Sequence, residues 1–194
     1  MASNTRTRMI ETTARLIQAR GLHGVSLSEI LRESDAPRGS LYFHFPGGKE
    51  SLVLEAMRAG IREASTILKE CLTGSDTPAD GVRSFFDAAA GEMTESGYLF
   101  GCPVASIILD APDSGSELAA ECRAAFEDWT AQYREALIRF GVTAGRAERL
   151  ARTIVASLEG ALIMARGERN AGIVKDVGDE MASMLTRLTA SQSE

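Results

Sequence analysis

Arg38, Ser40, Tyr42, His44 and Lys49 fall within twelve consecutive positions of the stretch PRGSLYFHFPGGKES, which runs from Pro37 to Ser51. A guanidinium can form a bidentate pair with guanine or a phosphate, and a hydroxyl can bond either kind of base edge. Phenol, imidazole and ammonium groups at Tyr42, His44 and Lys49 suit phosphate oxygens, which fix register without reading sequence. Phe43 can pack on a thymine methyl. This is chemistry for holding a nucleic acid. Two other chemistries fail on spacing. A phosphate-binding loop ending in the GGKE run needs glycine at position 43 and serine or threonine at 50, where the chain has Phe43 and Glu50. No H-E-x-x-H, G-x-S-x-G or G-x-G-x-x-G is present, and His23 and His44 lie outside any nucleophile arrangement, so an enzyme is left without its chemistry.

Net charge is −6, but it is unevenly spread. Residues 1–58 hold eight basic and six acidic side chains, a net +2, so the remainder carries −8. A mildly basic N-terminal unit on an acidic body fits a DNA-binding head. Cys71, Cys102 and Cys122 form no C-x-x-C pair and read as reduced packing residues, with no metal site and no cofactor expected. No apolar run approaches the ~18 residues of a membrane helix, and the N-terminus lacks the apolar core of a signal peptide. A soluble cytoplasmic chain with no membrane partner is expected.

The elements that must position these groups are helices. NTRTRMIETTARLIQARG, from Asn4 to Gly21, repeats apolar residues at Met9, Ile10, Ala14, Leu16 and Ile17 and ends on a glycine suited to a C-cap. Ser26-Leu27-Ser28-Glu29 fits a capping box, with Ser26 accepting from the backbone and Glu29 reaching back. SDAP, Ser34 to Pro37, then breaks the chain and opens a third helix. A short helix, a tight turn and a second short helix make a helix-turn-helix, whose second helix enters the major groove. On that helix Leu41 and Phe45 can turn inward together while Arg38 and Tyr42 project outward, and Gly39 leaves the backbone free to approach DNA.

GVSLSEILRESDAPRGSLYFHFPGGKESLVLEAM, from Gly24 to Met57, resembles the TetR family of bacterial transcriptional repressors, and its PRGSLYFHFPGGKE version resembles the YxaF/LmrA-type branch. The resemblance covers about the first third of the chain. It implies that the third helix lies in the major groove and that Tyr42 and His44 hold the DNA backbone. Most members have two residues between the aromatic and the lysine; here Pro46-Gly47-Gly48 are three, and two glycines can absorb the extra one. The DNA-contacting set is therefore expected to be Ser26, Ser28, Arg38, Gly39, Ser40, Tyr42, Phe43, His44 and Lys49.

Beyond Glu50 the helical pattern continues through Val53, Met57, Ile61, Ala64, Leu68 and Cys71 as one long lever, and TGSDTPADG, Thr73 to Gly81, reads as a linker. VRSFFDAAAGEMTES, PVASIILDAP and SELAAECRAAFEDWTAQYREALIRFG read as three further helices, followed by two more in AGRAERLARTIVASLEGALIMARGER and IVKDVGDEMASMLTRLTAS. The expectation is an all-α chain of about nine helices: a helix-turn-helix DNA-binding domain over residues 1–48 and a helical ligand-binding and dimerisation domain over 49–194. The large apolar residues of the body could form an ordinary core. The resemblance instead implies a small-molecule cavity, with Phe86, Met93, Phe100, Ile107, Phe126, Trp129 and Tyr133 as its lining. It also implies pairing through the last two helices. Ile154, Leu158, Leu162, Val177, Met181, Met184 and Leu188 are the expected dimer contacts. The expected partners are thus a palindromic double-stranded operator, a small apolar or aromatic inducer and a second copy of the chain; the alternatives are a DNA-binding regulator that responds to no ligand and a small-molecule carrier or enzyme.

Overall fold

In the computed structural model, which describes residues 5–110 and 115–190, nine helices and no strand are found among the described residues. They are α1 Thr5–Arg20, α2 Leu27–Glu33, α3 Arg38–His44, α4 Gly48–Thr73, α5 Pro78–Glu95, α6 Ala105–Asp110, α7 Glu117–Arg139, α8 Ala144–Glu168 and α9 Gly172–Ala190. Asn4, Ala111, Pro112 and Ser191, which the sequence patterns place in helices, lie outside the described residues. By its contacts the chain divides into two units. One takes the chain through Glu63 together with Cys102–Arg123; the other takes Ala64–Gly101 together with the chain from Ala124 onward. The head expected over 1–48 falls inside the first unit, which also recruits the start of α4, all of α6 and the start of α7.

The first unit is built on Met9, Leu16, Ile17, Ile30, Leu41, Phe45 and Leu52, all essentially removed from water. α1 stops where expected: Gly21 takes φ +74°, a value costly for any residue with a Cβ, and its N–H donates to the Ile17 carbonyl at 2.8 Å. Thr13 is buried without penalty because its hydroxyl donates to the Met9 carbonyl at 2.7 Å. α6 seats Ile107 among residues of α1 and α4, namely Ala14, Ile17, Ala56 and Met57.

In the second unit α5 packs along α9, and α8 packs on α9. The closeness of the α5–α9 approach is set by Gly178, where an added Cβ would lie 2.6 Å from Phe86 Cβ. The linker expected over Thr73–Gly81 is shorter than its composition suggests, because α5 already begins at Pro78. Thr77 is its N-cap, accepting from the Asp80 N–H at 3.2 Å, and Pro78 follows where a missing N–H costs nothing. Thr77-Pro78-Ala79-Asp80 is a helix start that the surrounding Gly, Ser and Asp residues disguise.

Candidate nucleic-acid interface

The turn between α2 and α3 is fixed from both sides. Asp35 sits in the left-handed region at φ +51°, the Ala36 N–H closes back on the Leu31 carbonyl at 3.0 Å, and the buried Ser34 hydroxyl donates to the Ile30 carbonyl at 2.7 Å. This is a helix end of the left-handed, doubly closed type. From α1, Arg8 reaches across and donates to the carbonyls of Ser34 at 2.9 Å and Asp35 at 3.0 Å. Arg8 thus holds the carbonyls of the C-cap of α2 and of the turn residue that follows it. Sequence reasoning missed it, because a lone arginine on α1 gives no sign of a partner twenty-six residues away.

Ser26 caps α2 as expected, accepting from the Glu29 N–H at 3.2 Å, and its hydroxyl lies 3.0 Å from that of Ser28. The reciprocal half of the capping box is replaced: the Glu29 carboxylate is paired with Arg20. On α3, Leu41 and Phe45 are buried and anchor the helix, with the Arg6 guanidinium 5.3 Å above the Phe45 ring. The opposite face is open. Arg38 and Gly39 are exposed, Tyr42 is 66% exposed and Phe43 81%, a proportion unusual for a large apolar ring. His44 is half-buried and meets Phe43 edge-on at 4.9 Å. A Cβ placed on Gly39 would meet nothing within 4 Å, so the fold itself does not require glycine there.

Two expected DNA-binding groups are otherwise engaged. The Ser40 hydroxyl donates to the Pro37 carbonyl at 2.5 Å, leaving only its lone pairs for a base. The Lys49 ammonium donates to the Val25 carbonyl. The extra residue before Lys49 is accommodated at Gly48, which takes φ +67° and turns its N–H onto the Phe45 carbonyl at 2.8 Å. Charge explains how a unit of small net charge can present a basic face: Arg6 pairs with Glu55, Arg15 with Glu33 and Arg20 with Glu29. The Arg15 guanidinium holds the Glu33 carboxyl below the usual carboxylate range. Arg38 has no carboxylate partner among the described residues, so its charge is directed outward.

The residues expected to line a cavity are not all together. Phe86, Met93, Phe126, Trp129 and Tyr133 belong to the second unit, as does the half-buried Phe100, whereas Ile107 is core of the first. Phe126 and Trp129 meet edge-to-face at 5.6 Å. The Trp129 indole N–H is already taken by the Ser65 hydroxyl at 2.9 Å, which in turn donates to Asp128 at 2.9 Å. The Tyr133 hydroxyl is buried and has no partner among the described residues. Burial pushes this phenol's pKa upward.

The two halves of the expected dimer stripe differ in exposure within the chain. Ile154, Leu158 and Leu162 of α8 are buried within the chain, so that face is already covered. Its exposed face carries instead Ala156, Gly160, Ile163, Met164 and Gly167, with Ile163 60% exposed. The apolar stripe of α8 spans more than one side, and spacing alone does not say which side faces the partner. On α9, Val177, Met181, Met184 and Leu188 are half-exposed.

Residues 9–56 match the family model of bacterial regulatory proteins of the tetR family, and residues 78–180 match the C-terminal domain of LmrA/YxaF-like transcriptional regulators. The chain is 27% identical over 184 residues to the HTH-type transcriptional regulator LmrA of Bacillus subtilis, covering 95% of this chain and 98% of that protein. It is 30% identical to an uncharacterised HTH-type transcriptional regulator of Mycobacterium tuberculosis, over 85% of this chain and 86% of that one. Among solved structures, a TetR transcriptional regulator from Chloroflexus aurantiacus superposes with a TM-score of 0.80 at 26% identity, over 94% of each chain. The regulator CifR, solved with 26-base-pair operator DNA, shares the fold at a TM-score of 0.79 and 20% identity, over 94% of this chain and 97% of that one. With a buried-side anchor, an outward basic and aromatic face and both family models matched, the chain belongs to the TetR family of DNA-binding transcriptional regulators and carries an LmrA/YxaF-like C-terminal domain.

Proposed function

We propose that this regulator is a repressor that grips a palindromic operator as a homodimer in the cytoplasm and releases it when a small apolar or aromatic molecule binds the helical body. The observation that carries the reading is the outward face of α3, where Arg38, Gly39, Tyr42 and Phe43 stand in solvent with nothing among the described residues to cover them. In this assignment residues 1–48 are the reading domain and 49–194 the ligand and dimer domain. Arg38 reads a base, Phe43 packs on a thymine methyl, and Tyr42 and His44 hold phosphates, with Ser26 and Ser28 beside them. Two inverted half-sites call for two heads, and the exposed α8 face with the half-exposed α9 stripe supplies a surface on which two copies pair. The inducer enters among Phe86, Met93, Phe126 and Tyr133.

Gel shift against genomic fragments tests the DNA half. Tyr42→Phe and His44→Ala should weaken binding to every duplex and flatten the salt dependence, by up to ~0.9 in log–log slope for each phosphate no longer held. Arg38→Ala should cost about 1–3 kcal/mol on the preferred site only; equal losses on random DNA would move Arg38 to the backbone. The ligand half is tested by titrating a bound inducer with and without operator. Linkage requires equal and opposite effects, a tenfold change corresponding to about 1.4 kcal/mol, and identical affinities would remove the coupling.

A further inference from the structure

A cleft of about 690 Å³ opens within the first unit and is lined by none of the residues assigned above to an inducer. Its walls come from the α1–α2 turn, from the α3–α4 connection with the first turns of α4, and from the start of α7. Leu22, Val53, Leu54 and Leu118 make them largely apolar. The volume is within the range that takes a drug-sized molecule, roughly 300–1,000 Å³.

The polar groups on the walls are unequal in what they leave over. Lys49 is engaged by the Val25 carbonyl, Glu117 pairs with Arg58 at 3.0 Å, and His23 Nε2 lies 3.1 Å from the Asp110 carbonyl. Glu50 has no hydrogen-bond or ion-pair partner among the described residues. Glu50 is exposed to solvent, so apolar walls beside one carboxylate that no side chain pairs select an apolar body bearing a positive head. We infer that this cleft is a second effector site, for an amphipathic organic cation of the amine class, and that its occupant tightens operator binding.

The coupling is short. Gly47 and Lys49 are themselves walls of the cleft, and Lys49 ties α4 to the chain entering α2. Gly48, between them, sits against Tyr42, whose ring lies 3.5 Å from where a Cβ would stand. An occupant therefore bears directly on the joint that poses α3. The sign follows from charge: Glu50 is an unpaired anion on the unit that must approach phosphates, and an ammonium beside it cancels that repulsion.

The full-length protein is titrated calorimetrically with 2-naphthylmethylammonium and with 2-naphthoate, which share a ring and differ in charge. The expected result is that the cation binds at least tenfold more tightly than the anion, that Glu50→Gln loses this preference, and that operator duplex strengthens cation binding. Glu70→Gln, which removes an exposed carboxylate of α4 in the other unit, should leave it unchanged. Equal binding to wild type and Glu50→Gln, an equal loss on Glu70→Gln, weakening by duplex, or no binding of the cation at millimolar concentration would each overturn the proposal. Weakening by duplex would assign the probe to the inducer site of the body, whereas the other outcomes leave that reading to its own titration.

Discussion

The Lys49 ammonium, in the first turn of α4, donates to the main-chain carbonyl of Val25, the residue just before the N-cap of α2. One side chain thereby ties the helix that leaves the head to the entrance of the first helix of the helix-turn-helix. Val25 itself is buried, so its carbonyl depends on a partner from within the chain.

Lys49→Met should consequently destabilise the protein by about 1.5–3 kcal/mol, the range for a hydrogen bond to a charged group. Operator affinity should fall with the log–log salt slope unchanged, because the variant disturbs the pose of α2 and α3 and leaves the phosphate contacts in number. A slope shallower by ~0.9 would instead make Lys49 a phosphate contact. Chemical denaturation and salt-dependent anisotropy measure the two effects separately.

Gly39→Ala separates fold from recognition. No atom lies within 4 Å of the added methyl, and alanine is favoured over glycine in a helix by up to ~1 kcal/mol, so thermal stability should hold or rise. DNA binding should weaken nonetheless, since the methyl occupies the space through which the α3 backbone approaches the groove. Unchanged operator affinity in this variant would show that the backbone does not come close at Gly39.

Much of the head was legible in the sequence because its signals are local. Leu41 and Phe45 four apart, Ser26 before a helix and Gly21 after one each declare their role within a single turn of chain. What escaped depends on distance. Arg8 clamping Ser34 and Asp35, and Lys49 reaching Val25, are long side chains meeting main-chain oxygens, and a carbonyl carries no sequence signal. Ile107 shared apolar character with Phe86 and Trp129 but folds into the other unit. On α8 a helix apolar on several sides hid which side is the free one.

Gly178→Ala tests the packing of the second unit. The new Cβ would stand 2.6 Å from Phe86 Cβ and 2.9 Å from its Cγ, both on the fixed base of the side chain, so α5 and α9 must separate. A loss of about 1–3 kcal/mol is expected, as for overpacking of a filled core. A neutral result would mean that the α5–α9 spacing yields without strain.

Ile163→Arg distinguishes the two faces of α8. Ile163 stands in solvent in the single chain, so the charge should leave the helical circular dichroism unchanged while sedimentation reports monomer in place of dimer. Leu162→Arg, one position earlier, places a charge in the covered face and should unfold the unit instead. Dimerisation surviving Ile163→Arg would place the pairing surface elsewhere.

Tyr133 supplies a pH signature. Its phenol is buried without a hydrogen-bond partner among the described residues, and burial raises its pKa above the ordinary value, with the nearby Cys71 thiol adding to the effect. In the unfolded chain the phenol loses its proton near pH 10, whereas in the folded chain it keeps it beyond that point. Because the folded pKa is the higher one, the contribution to stability is intact below pH 10 and declines as pH rises above it, by about 1.4 kcal/mol per unit. Tyr133→Phe removes this titration, so between pH 7 and pH 11 the wild type should lose about 1.4 kcal/mol more than the variant, other groups cancelling in the difference. At pH 7 the variant should be as stable as the wild type or more stable by up to about 1 kcal/mol, since an unpaired buried hydroxyl has been deleted. Denaturation curves from pH 7 to 11 decide it: a variant that is less stable at pH 7 and loses stability in parallel with the wild type above pH 10 would mean that the hydroxyl is satisfied within the fold.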